Sequence, residues 1–258
     1  MENGYFDLKG RVAIVTGCST GLGVQMARAL ASAGCAIVPV ARRLDKLEEV
    51  AARLRADFGV DVLPLRCDIT DTAMVDDMVG KVLERFGRID ILINNAGTGA
   101  VAPAEDITDD QFMNEMQIDL FGTFRVARAV AKRAMIPAGF GRIVNIASMY
   151  GLVGNKIAPA SPYHAAKGGV VNLTRALAAE WGKHGITVNS ICPGYFVTPL
   201  TRETLDSDWF KEYSRGAIPM ERYGHEGELD TAALFLCSPA STYVTGVALP
   251  VDGGYTCI

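Results

Sequence analysis

The sequence predicts an α/β fold built on one doubly wound, mostly parallel sheet of seven strands, with helices on both faces. Short and nearly continuous apolar runs recur along the chain, as expected for strands covered on both faces. Longer segments with helical periodicity separate these runs, and strands that alternate with helices form parallel sheets with right-handed crossovers. Since neither a linker nor an internal repeat interrupts this alternation, we expect residues 1–258 to form a single domain.

Each element is bounded by the extent of its apolar pattern. The predicted strands are Val12–Thr16, Ala36–Val40, Val62–Leu65, Ile89–Ile93, Ile143–Ala147, Thr187–Ile191 and Val247–Val251. The predicted helices are Gly21–Ala33, Leu44–Phe58, Asp71–Phe86, Asp109–Met135 and Tyr163–His184. In the second helix the apolar side chains recur at intervals of three and four residues, which places them on one buried stripe.

Composition excludes several classes of function. The 25 basic and 29 acidic side chains are mixed along the chain, so no basic surface for nucleic acid or an anionic membrane is predicted. The first apolar run is too short for a signal peptide or a membrane span. The six cysteines are scattered singly, which is typical of reduced thiols in a cytoplasm. The three histidines lie far apart and show no metal-ligand spacing to a cysteine or to one another. We therefore expect a cytoplasmic protein without a metal, whose partner is a small molecule or another copy of itself.

In a doubly wound sheet, ligands bind beyond the carboxyl ends of the strands. The first strand is followed by a glycine-rich turn that opens the first helix, where the backbone can approach a pyrophosphate and helix N–H groups can bind it. The spacing departs from G-x-G-x-x-G, and an ordinary strand-to-helix turn is the alternative. The predicted cofactor contacts in this turn are Gly17, Ser19, Thr20, Gly21, Leu22 and Gly23.

Two arginines, Arg42 and Arg43, follow the second strand. NAD-selective folds usually carry an acidic residue near this point for the adenosine ribose, whereas a guanidinium stabilises a 2′-phosphate. This favours NADP over NAD. The alternative is that both arginines are solvated residues of the next helix, and the glycine turn itself supplies no basic side chain.

Polar residues also follow the third and fourth strands. Asp68, beside Ile69, is expected to accept a hydrogen bond from an adenine amino group, or alternatively to cap the helix that begins near Asp71. After the fourth strand, the amides of Asn94 and Asn95 can bridge neighbouring strand ends, while Ala96 and Gly97 leave room for a cofactor.

The most specific group is Ser148, at the end of the fifth strand, with Tyr163 and Lys167 at the start of the next helix. The spacing of four residues places the tyrosine and the lysine on one helical face. A nearby ammonium stabilises a phenolate, so this tyrosine can exchange a proton with an alcohol or a ketone near neutral pH. Ser148 can donate a hydrogen bond to the same oxygen. His164 points about 100° away from Tyr163 around the helix and has no catalytic role in this prediction.

Two less regular segments are candidates for the substrate side. Residues 149–162, rich in glycine and proline, form either a substrate wall or a surface loop. Residues 199–224 mix aromatic and apolar side chains with Arg202 and Arg222, and they are predicted to form a lid over the nicotinamide. Arginines in a lid favour an anionic substrate. The alternative is an amphipathic helix pair that packs on the body of the protein.

These residues, in this order, resemble the short-chain dehydrogenase/reductase family over essentially the whole chain, which implies a Rossmann fold. The resemblance implies that Tyr163 is the general acid/base, that Ser148 holds the substrate oxygen and that Lys167 also binds the nicotinamide ribose. The segment after the sixth strand is implied to lie near the carboxamide; its residues are Pro193, Gly194, Phe196 and Thr198. Similar family members are commonly tetramers, so a homotetramer is expected.

One position departs from the family pattern. Where the family usually has an asparagine that holds a water linked to the lysine, this chain has Asp119. A carboxylate can accept hydrogen bonds from water or lysine but donates none unless it is protonated. We therefore expect Asp119 to be a catalytic residue whose part in the proton relay differs from that of asparagine.

The resemblance extends to gluconate 5-dehydrogenase-type members, which implies a sugar acid as substrate; hydroxysteroid dehydrogenases and 3-oxoacyl reductases share most of the same residues. The expected reaction is hydride transfer between an NAD(P) nicotinamide and a secondary alcohol or ketone. The alternative to an enzyme is a regulator that binds the cofactor without turnover. Such a protein needs the glycine turn but not Ser148, Tyr163 and Lys167.

Overall fold

Seven parallel strands form one sheet in the order β3-β2-β1-β4-β5-β6-β7 in a computed structural model, which describes residues 4–99, 101–157, 159–198 and 201–258. The strands are β1 (Val12–Thr16), β2 (Ala36–Ala41), β3 (Leu65–Arg66), β4 (Ile91–Asn94), β5 (Gly141–Ile146), β6 (Ile186–Pro193) and β7 (Ala248–Val251). Every strand pair in the described sheet is parallel. The strand order reverses between β1 and β4, which opens a crevice at their carboxyl ends.

Helices cover both faces of the sheet, as the sequence predicts. The helices are α1 (Leu22–Ser32), α2 (Leu44–Phe58), α3 (Thr72–Phe86), α4 (Asp109–Glu115), α5 (Thr123–Val130), α6 (Ile136–Ala138), α7 (Ser161–Trp181), α8 (Arg202–Leu205), α9 (Asp208–Ala217) and α10 (Asp230–Cys237). One core, which includes Leu30, Leu47 and Leu236, packs α1, α2 and α10 against the sheet. A second core, which includes Met78 and Val126, packs α3, α5 and α7 on the other face.

Local signals explain why the ends of α2 and α3 are predicted to within one residue. The side chain of Asp71 accepts hydrogen bonds from the N–H groups of Ala73 and Met74, which satisfies the free donors at the start of α3. Gly59 and Gly87 end α2 and α3 in the left-handed conformation, which glycine adopts without a steric cost.

The prediction of one regular helix over Asp109–Met135 is wrong in its geometry. α4 passes into a π-helical turn at Met116–Gly122, continues as α5, and passes through a second π-helical turn at Ala131–Met135 into α6. The hydroxyl of Thr123 donates to the carbonyl of Asp119 at 2.7 Å inside the first of these turns. π-Helical turns are frequent at functional sites, and this one carries the buried carboxylate of Asp119.

The predicted strand Val62–Leu65 is also wrong in extent. Only Leu65 and Arg66 pair with β2 in a ladder, and Val62 forms an isolated bridge with Ile37. Pro64 interrupts the run because proline has no N–H to donate to a neighbouring strand.

Within the described ranges, no helix combines the length and apolar character that crossing a bilayer requires. The same part of the chain holds no group of three or more histidine, cysteine or acidic side chains suited to a metal ion. All six cysteines are free thiols, and five of them are buried.

Candidate active site

The glycine turn after β1 is packed against the end of β4 so closely that only glycine fits at two positions. A Cβ atom on Gly17 would lie 2.8 Å from the Cα of Ala96, and one on Gly23 would lie 2.6 Å from the side-chain nitrogen of Asn95. That nitrogen donates to the carbonyls of Thr16 at 3.0 Å and Gly17 at 3.2 Å. The predicted bridging role of Asn95 between strand ends is confirmed.

The asparagine before it has a similar bridging role. The side-chain nitrogen of Asn94 donates to the side-chain oxygen of Asn145 on β5 at 3.0 Å, and Asn145 in turn donates to the hydroxyl of Thr174 on α7 at 3.0 Å. These buried bonds tie β4, β5 and α7 together directly below the candidate catalytic residues.

Gly21 is the N-cap of helix α1, has a φ of 66° and provides no side-chain hydrogen bond to the helix start. The N–H groups of Val24 and Gln25 donate to the carbonyl of Gly21. It is therefore those of Leu22 and Gly23 that no side chain caps and that can bind an anion. Thr198 approaches this turn from the segment after β6, with its methyl carbon 3.5 Å from the position of a Cβ on Gly21. The fold thus places Thr198 beside the glycine turn.

A cavity of about 580 Å³ lies beyond the carboxyl ends of β1, β2 and β4. Nine of the predicted cofactor contacts line it, namely Gly17, Ser19, Thr20, Arg42, Arg43, Asp68, Ile69, Ala96 and Gly97. Glycines that permit close approach, a helix start without a cap and two guanidinium groups fit the phosphates and ribose of a dinucleotide.

Seven further lining residues are missing from the predicted contacts, namely Val40, Ala41, Cys67, Thr70, Thr98, Asn114 and Ile118. Asn114 and Ile118 come from α4 and the π-helical turn that follows it. Helical periodicity indicates which face of such a helix is apolar but not which ligand cavity it borders. Thr98 directly follows Gly97 and could have been found by extending that segment by one residue.

Arg43 supplies the basic group that the glycine turn itself lacks. Its guanidinium donates to the hydroxyl of Ser19 at 3.1 Å, so a positive charge lies directly beside the turn. Arg42 also lines the cavity. Both side chains are exposed, as the alternative of solvated helix residues requires, but their position at the cavity agrees with a phosphate contact as well.

Asp68 does not cap α3, because Asp71 holds that position. One carboxylate oxygen of Asp68 instead accepts from the N–H of Thr70 at 2.9 Å and from its hydroxyl at 2.7 Å. The N–H of Thr70, its hydroxyl and the nearby charge of Arg42 together lower the pKa of Asp68 against the opposing effect of burial. Asp68 therefore stays an acceptor at the cavity wall, as a contact with an adenine amino group would require.

Lys167 lies buried below the ring of Tyr163. Its ammonium is 5.5 Å from the centroid of that ring, and it donates to the carbonyl of Ile146 at 3.1 Å. Asp119 completes the group, with one carboxylate oxygen 2.9 Å from the ammonium. Burial acts to lower the pKa of Lys167, but the charges of Asp119 and then Tyr163 outweigh it, so the pKa is raised and the lysine stays charged.

Asp119 is fixed from two sides. Its other carboxylate oxygen accepts from the N–H of Thr98 at 2.8 Å, and its side chain is fully buried. A Cβ on Gly97 would lie 2.9 Å from the carboxylate and 3.2 Å from the ammonium of Lys167. Gly97 is thus needed for the ion pair to form beside the cavity.

Ser148 caps the short turn Met149–Gly151 after β5. Its Oγ accepts from the N–H of Tyr150 at 3.1 Å, which leaves the hydroxyl hydrogen for donation to another oxygen. The ring of Tyr150 also meets that of Tyr163 edge to face, with 6.4 Å between the centroids. Through these two contacts Tyr150 lies beside both Ser148 and Tyr163.

The segment after β6 agrees with the prediction only in part. Pro193 ends β6, and a Cβ on Gly194 would lie 2.7 Å from the Cα of Asp252. The Phe196 side chain is buried in the core against Gly224, so any contact of this residue with a nicotinamide comes from its main chain. Leu22 is likewise packed against that core.

The candidate lid, residues 199–224, is described from residue 201 onward; Leu200 lies outside the described residues. Phe210 is buried in a small core with Leu205 and Ile218, as the alternative of helices packed on the body predicts. Trp209 is 55% exposed and Met220 is 62% exposed, so the segment keeps an apolar outer surface.

Arg222 is not available to an anionic substrate as the sequence suggests. Both of its terminal nitrogens donate to Glu228, each at 2.7 Å. The bonds from Arg222 and from the N–H of His225 lower the pKa of Glu228 to about 2, so this pair stays ionised near neutral pH. The arginine side chain thus already has a partner.

Comparison with known proteins places this arrangement among dehydrogenases. The family model described as enoyl-(acyl carrier protein) reductase matches residues 17–256. Gluconate 5-dehydrogenase from Gluconobacter oxydans is 39% identical over 251 residues, which cover 97% of this chain and 96% of the relative. Galactitol 2-dehydrogenase (L-tagatose-forming) from Cereibacter sphaeroides is 38% identical over 251 residues, with 97% of each chain covered.

The fold is also similar to a solved gluconate 5-dehydrogenase from Burkholderia cenocepacia in complex with NADP and tartrate. The TM-score is 0.93 and the identity is 39%, with 98% of each chain covered.

Proposed function

Because this chain belongs to the short-chain dehydrogenase/reductase family, and is an NAD(P)-dependent oxidoreductase of CH–OH groups, we propose that it interconverts a secondary alcohol and a ketone in a sugar acid or polyol. The observation that carries this proposal is the buried ammonium of Lys167 below the ring of Tyr163, next to the dinucleotide cavity. A cofactor-binding regulator would need the cavity but not this pair.

The roles of the side chains follow from their contacts. A bound nicotinamide supplies the acceptor or donor of hydride. Tyr163 takes the proton from the alcohol or gives it to the ketone, and the charged Lys167 stabilises the phenolate. Ser148 donates its free hydroxyl hydrogen to the substrate oxygen. Asp119 holds the lysine in place and keeps it protonated.

We propose NADP as the preferred cofactor. Its pyrophosphate would be held by the glycine turn with Gly17, Gly21 and Gly23, its adenine by Asp68 and Ile69, and its 2′-phosphate by Arg42 and Arg43. The bond from Arg43 to Ser19 supports this assignment, because it places a guanidinium at the turn. On the nicotinamide side the proposed contacts are Asn95, Ala96, Gly97, Tyr163, Lys167, Pro193, Gly194, Phe196 and Thr198, with Leu22 near the turn.

The Arg42→Ala variant is expected to lower kcat/KM for NADP by about 10- to 100-fold, the range for losing a charge-assisted contact with a phosphate. Since NAD has no 2′-phosphate, its kcat/KM is expected to stay within about twofold. Initial rates with each cofactor measure both values, and Lys46→Ala, which removes an exposed cation from the first turn of the helix that follows Arg42, is the matched control. Comparable kcat/KM for NAD and NADP in the wild-type protein would refute the preference.

We propose a homotetramer, following the family resemblance. Two large apolar side chains are exposed on α4 and the π-helical turn, Met113 at 51% and Phe121 at 46%, and they support an interface between copies of this chain. Light scattering at micromolar protein is expected to give four times the chain mass of 27.6 kDa. The mass of a single chain would contradict the proposal.

The remaining predictions are that residues 1–258 form one domain, that residues 199–224 act as its substrate lid, and that the protein is cytoplasmic. Hydroxysteroids and 3-oxoacyl compounds are the alternative substrates, and they belong in the same activity panel as sugar acids and polyols. The identities of 39% and 38% to enzymes named for gluconate and galactitol favour the polyhydroxylated class.

A further inference from the structure

A chain of uncharged hydrogen-bonding groups lies beside the catalytic residues and has no part in the mechanism above. It consists of Tyr150 and Asn155, from the segment between Ser148 and Tyr163, and Tyr195, from the segment after β6. The hydroxyl oxygens of Tyr150 and Tyr195 are 2.7 Å apart, and the side-chain nitrogen of Asn155 donates to that of Tyr150. All three side chains are half-buried. The ring of Tyr150 contacts that of Tyr163. Asn155 and Tyr195 each border a cavity at the surface.

The direction of these hydrogen bonds is fixed by Asn155. Its side-chain oxygen accepts from the N–H of Ile157 at 2.8 Å, so its nitrogen must face Tyr150. The oxygen of Tyr150 therefore accepts from Asn155, and its hydrogen is donated either to Tyr195 or to a ligand. The second hydrogen on the Asn155 nitrogen has no partner specified by this geometry and is a further donor for a ligand.

Tyr150 is held rigidly at the catalytic residues. Its ring stacks on that of His164, with 4.6 Å between centroids and an angle of 17°. His164 is fixed in turn by a bond of 2.8 Å between its Nδ1 and the carbonyl of Ala160. Together with the edge-to-face contact to Tyr163 and the bond to Ser148, this leaves the Tyr150 ring little freedom.

Tyr150 also remains a neutral donor over the working pH range. Burial raises its pKa to about 12, and burial raises the pKa of Tyr195 as well. None of the three groups carries a charge near neutral pH, and Arg222 is already paired with Glu228. These groups can therefore bind a neutral hydroxyl without a counter-charge.

We propose that Tyr150, Asn155 and Tyr195 form a hydroxyl subsite that binds a hydroxyl group of the substrate next to the reacting carbinol carbon. This inference rests on the proposed function and names the groups that select its substrate. An alcohol group both donates and accepts, so it can accept the hydrogen that Tyr150 otherwise donates to Tyr195, or the second hydrogen of the Asn155 nitrogen. A hydrocarbon in the same place makes neither bond, so analogues that lack the hydroxyl are expected to be poorer substrates.

The test compares the kcat/KM of substrates that carry many hydroxyl groups with the kcat/KM of a substrate that carries one. Galactitol and D-gluconate are the polyhydroxylated probes, and cyclohexanol is the probe with a single hydroxyl. Tyr150→Phe keeps the ring and its stacking but removes the hydroxyl, so we expect kcat/KM for the better polyhydroxylated probe to fall about tenfold or more. The value for cyclohexanol is expected to change less than about twofold. Asn155→Ala is expected to give the same selective loss.

The matched control is Tyr243→Phe, since Tyr243 is fully exposed and lies outside the site. A calorimetric Kd for the polyhydroxylated probe in the presence of NADPH, which cannot accept hydride from an alcohol, is expected to weaken in Tyr150→Phe and not in the control. An equal loss of kcat/KM for galactitol, D-gluconate and cyclohexanol overturns the subsite but leaves the proposed function standing. A wild-type protein that oxidises cyclohexanol but neither polyhydroxylated probe overturns both.

Discussion

The Tyr163→Phe variant is expected to lose about 10²- to 10⁴-fold in kcat, the usual contribution of a positioned general acid/base. The substitution keeps the aromatic ring above Lys167, so packing and the charge of the lysine are preserved. Only the oxygen that exchanges the proton is lost. Initial rates at saturating NADP and alcohol measure the effect.

The control for this variant separates catalysis from binding. Titration of NADPH fluorescence is expected to give a Kd that changes at most slightly, because Tyr163 is one of several proposed contacts on the nicotinamide side and is not among those proposed to hold the phosphates. Tyr243→Phe, at a fully exposed position, is expected to keep the wild-type kcat. Full turnover by Tyr163→Phe would remove this residue from the mechanism.

The Asp119→Ala variant is expected to unfold more easily by about 3–5 kcal/mol, the typical result of leaving one member of a buried ion pair without its partner. The affected partner is Lys167, which is 5% exposed and whose pKa the carboxylate raises. Denaturant unfolding at pH 7 measures the loss. Asp77→Ala, which breaks an exposed pair with Lys81, is the matched control and is expected to cost less than about 1 kcal/mol.

The pH dependence of this loss has a definite sign. A lysine whose pKa is higher in the folded state stabilises the fold fully below its ordinary value, 10.5, and loses this contribution as pH rises through the folded pKa. In the wild-type protein this contribution is therefore expected to be constant through neutral pH and to fall only above pH 10.5. In Asp119→Ala the carboxylate no longer offsets the burial of Lys167, so the pKa of the lysine is lower and the difference in stability between the two proteins is expected to narrow as pH rises. A difference that grows as pH rises would contradict the ion pair.

Asp119→Asn isolates the charge from the shape of the side chain. We expect this variant to retain activity, because the amide oxygen can still accept from one of the two donors, Lys167 or Thr98, which bond to different oxygens of the carboxylate. The carboxylate raises the pKa of Lys167, so the amide is expected to lower that pKa and to shift the pH profile of alcohol oxidation. An unchanged profile would remove Asp119 from the proton relay.

Much of the fold could be predicted because local signals and the global pattern agree. Asp71 and the glycines after α2 and α3 mark the helix ends, and continuous apolar runs mark the strands. The two predictions that are wrong, the third strand and the regular helix over Asp109–Met135, have local causes. Pro64 breaks the third strand, and a π-helical turn differs from an α-helix by backbone hydrogen bonding that apolar periodicity does not report.

In the candidate site, too, some contacts could be predicted from the sequence and others could not. Lys167 lies one helical turn from Tyr163, so the sequence alone places them together. The pairing of Lys167 with Asp119 and of Arg222 with Glu228 depends on tertiary packing. The sequence does not single out Tyr150 and Asn155, because they lie in a segment without periodicity that it predicts either as a substrate wall or as a surface loop.

The most direct test of the central claim is the appearance of reduced nicotinamide absorbance when the wild-type protein is mixed with NADP and a panel of secondary alcohols. The panel contains galactitol, D-gluconate, a hydroxysteroid, a 3-hydroxyacyl compound and cyclohexanol. We predict reduction of NADP with at least one of the two polyhydroxylated compounds, at a kcat/KM above those of the other three. Absence of reduction with every alcohol, or turnover confined to the hydroxysteroid or the 3-hydroxyacyl compound, would contradict the proposed function.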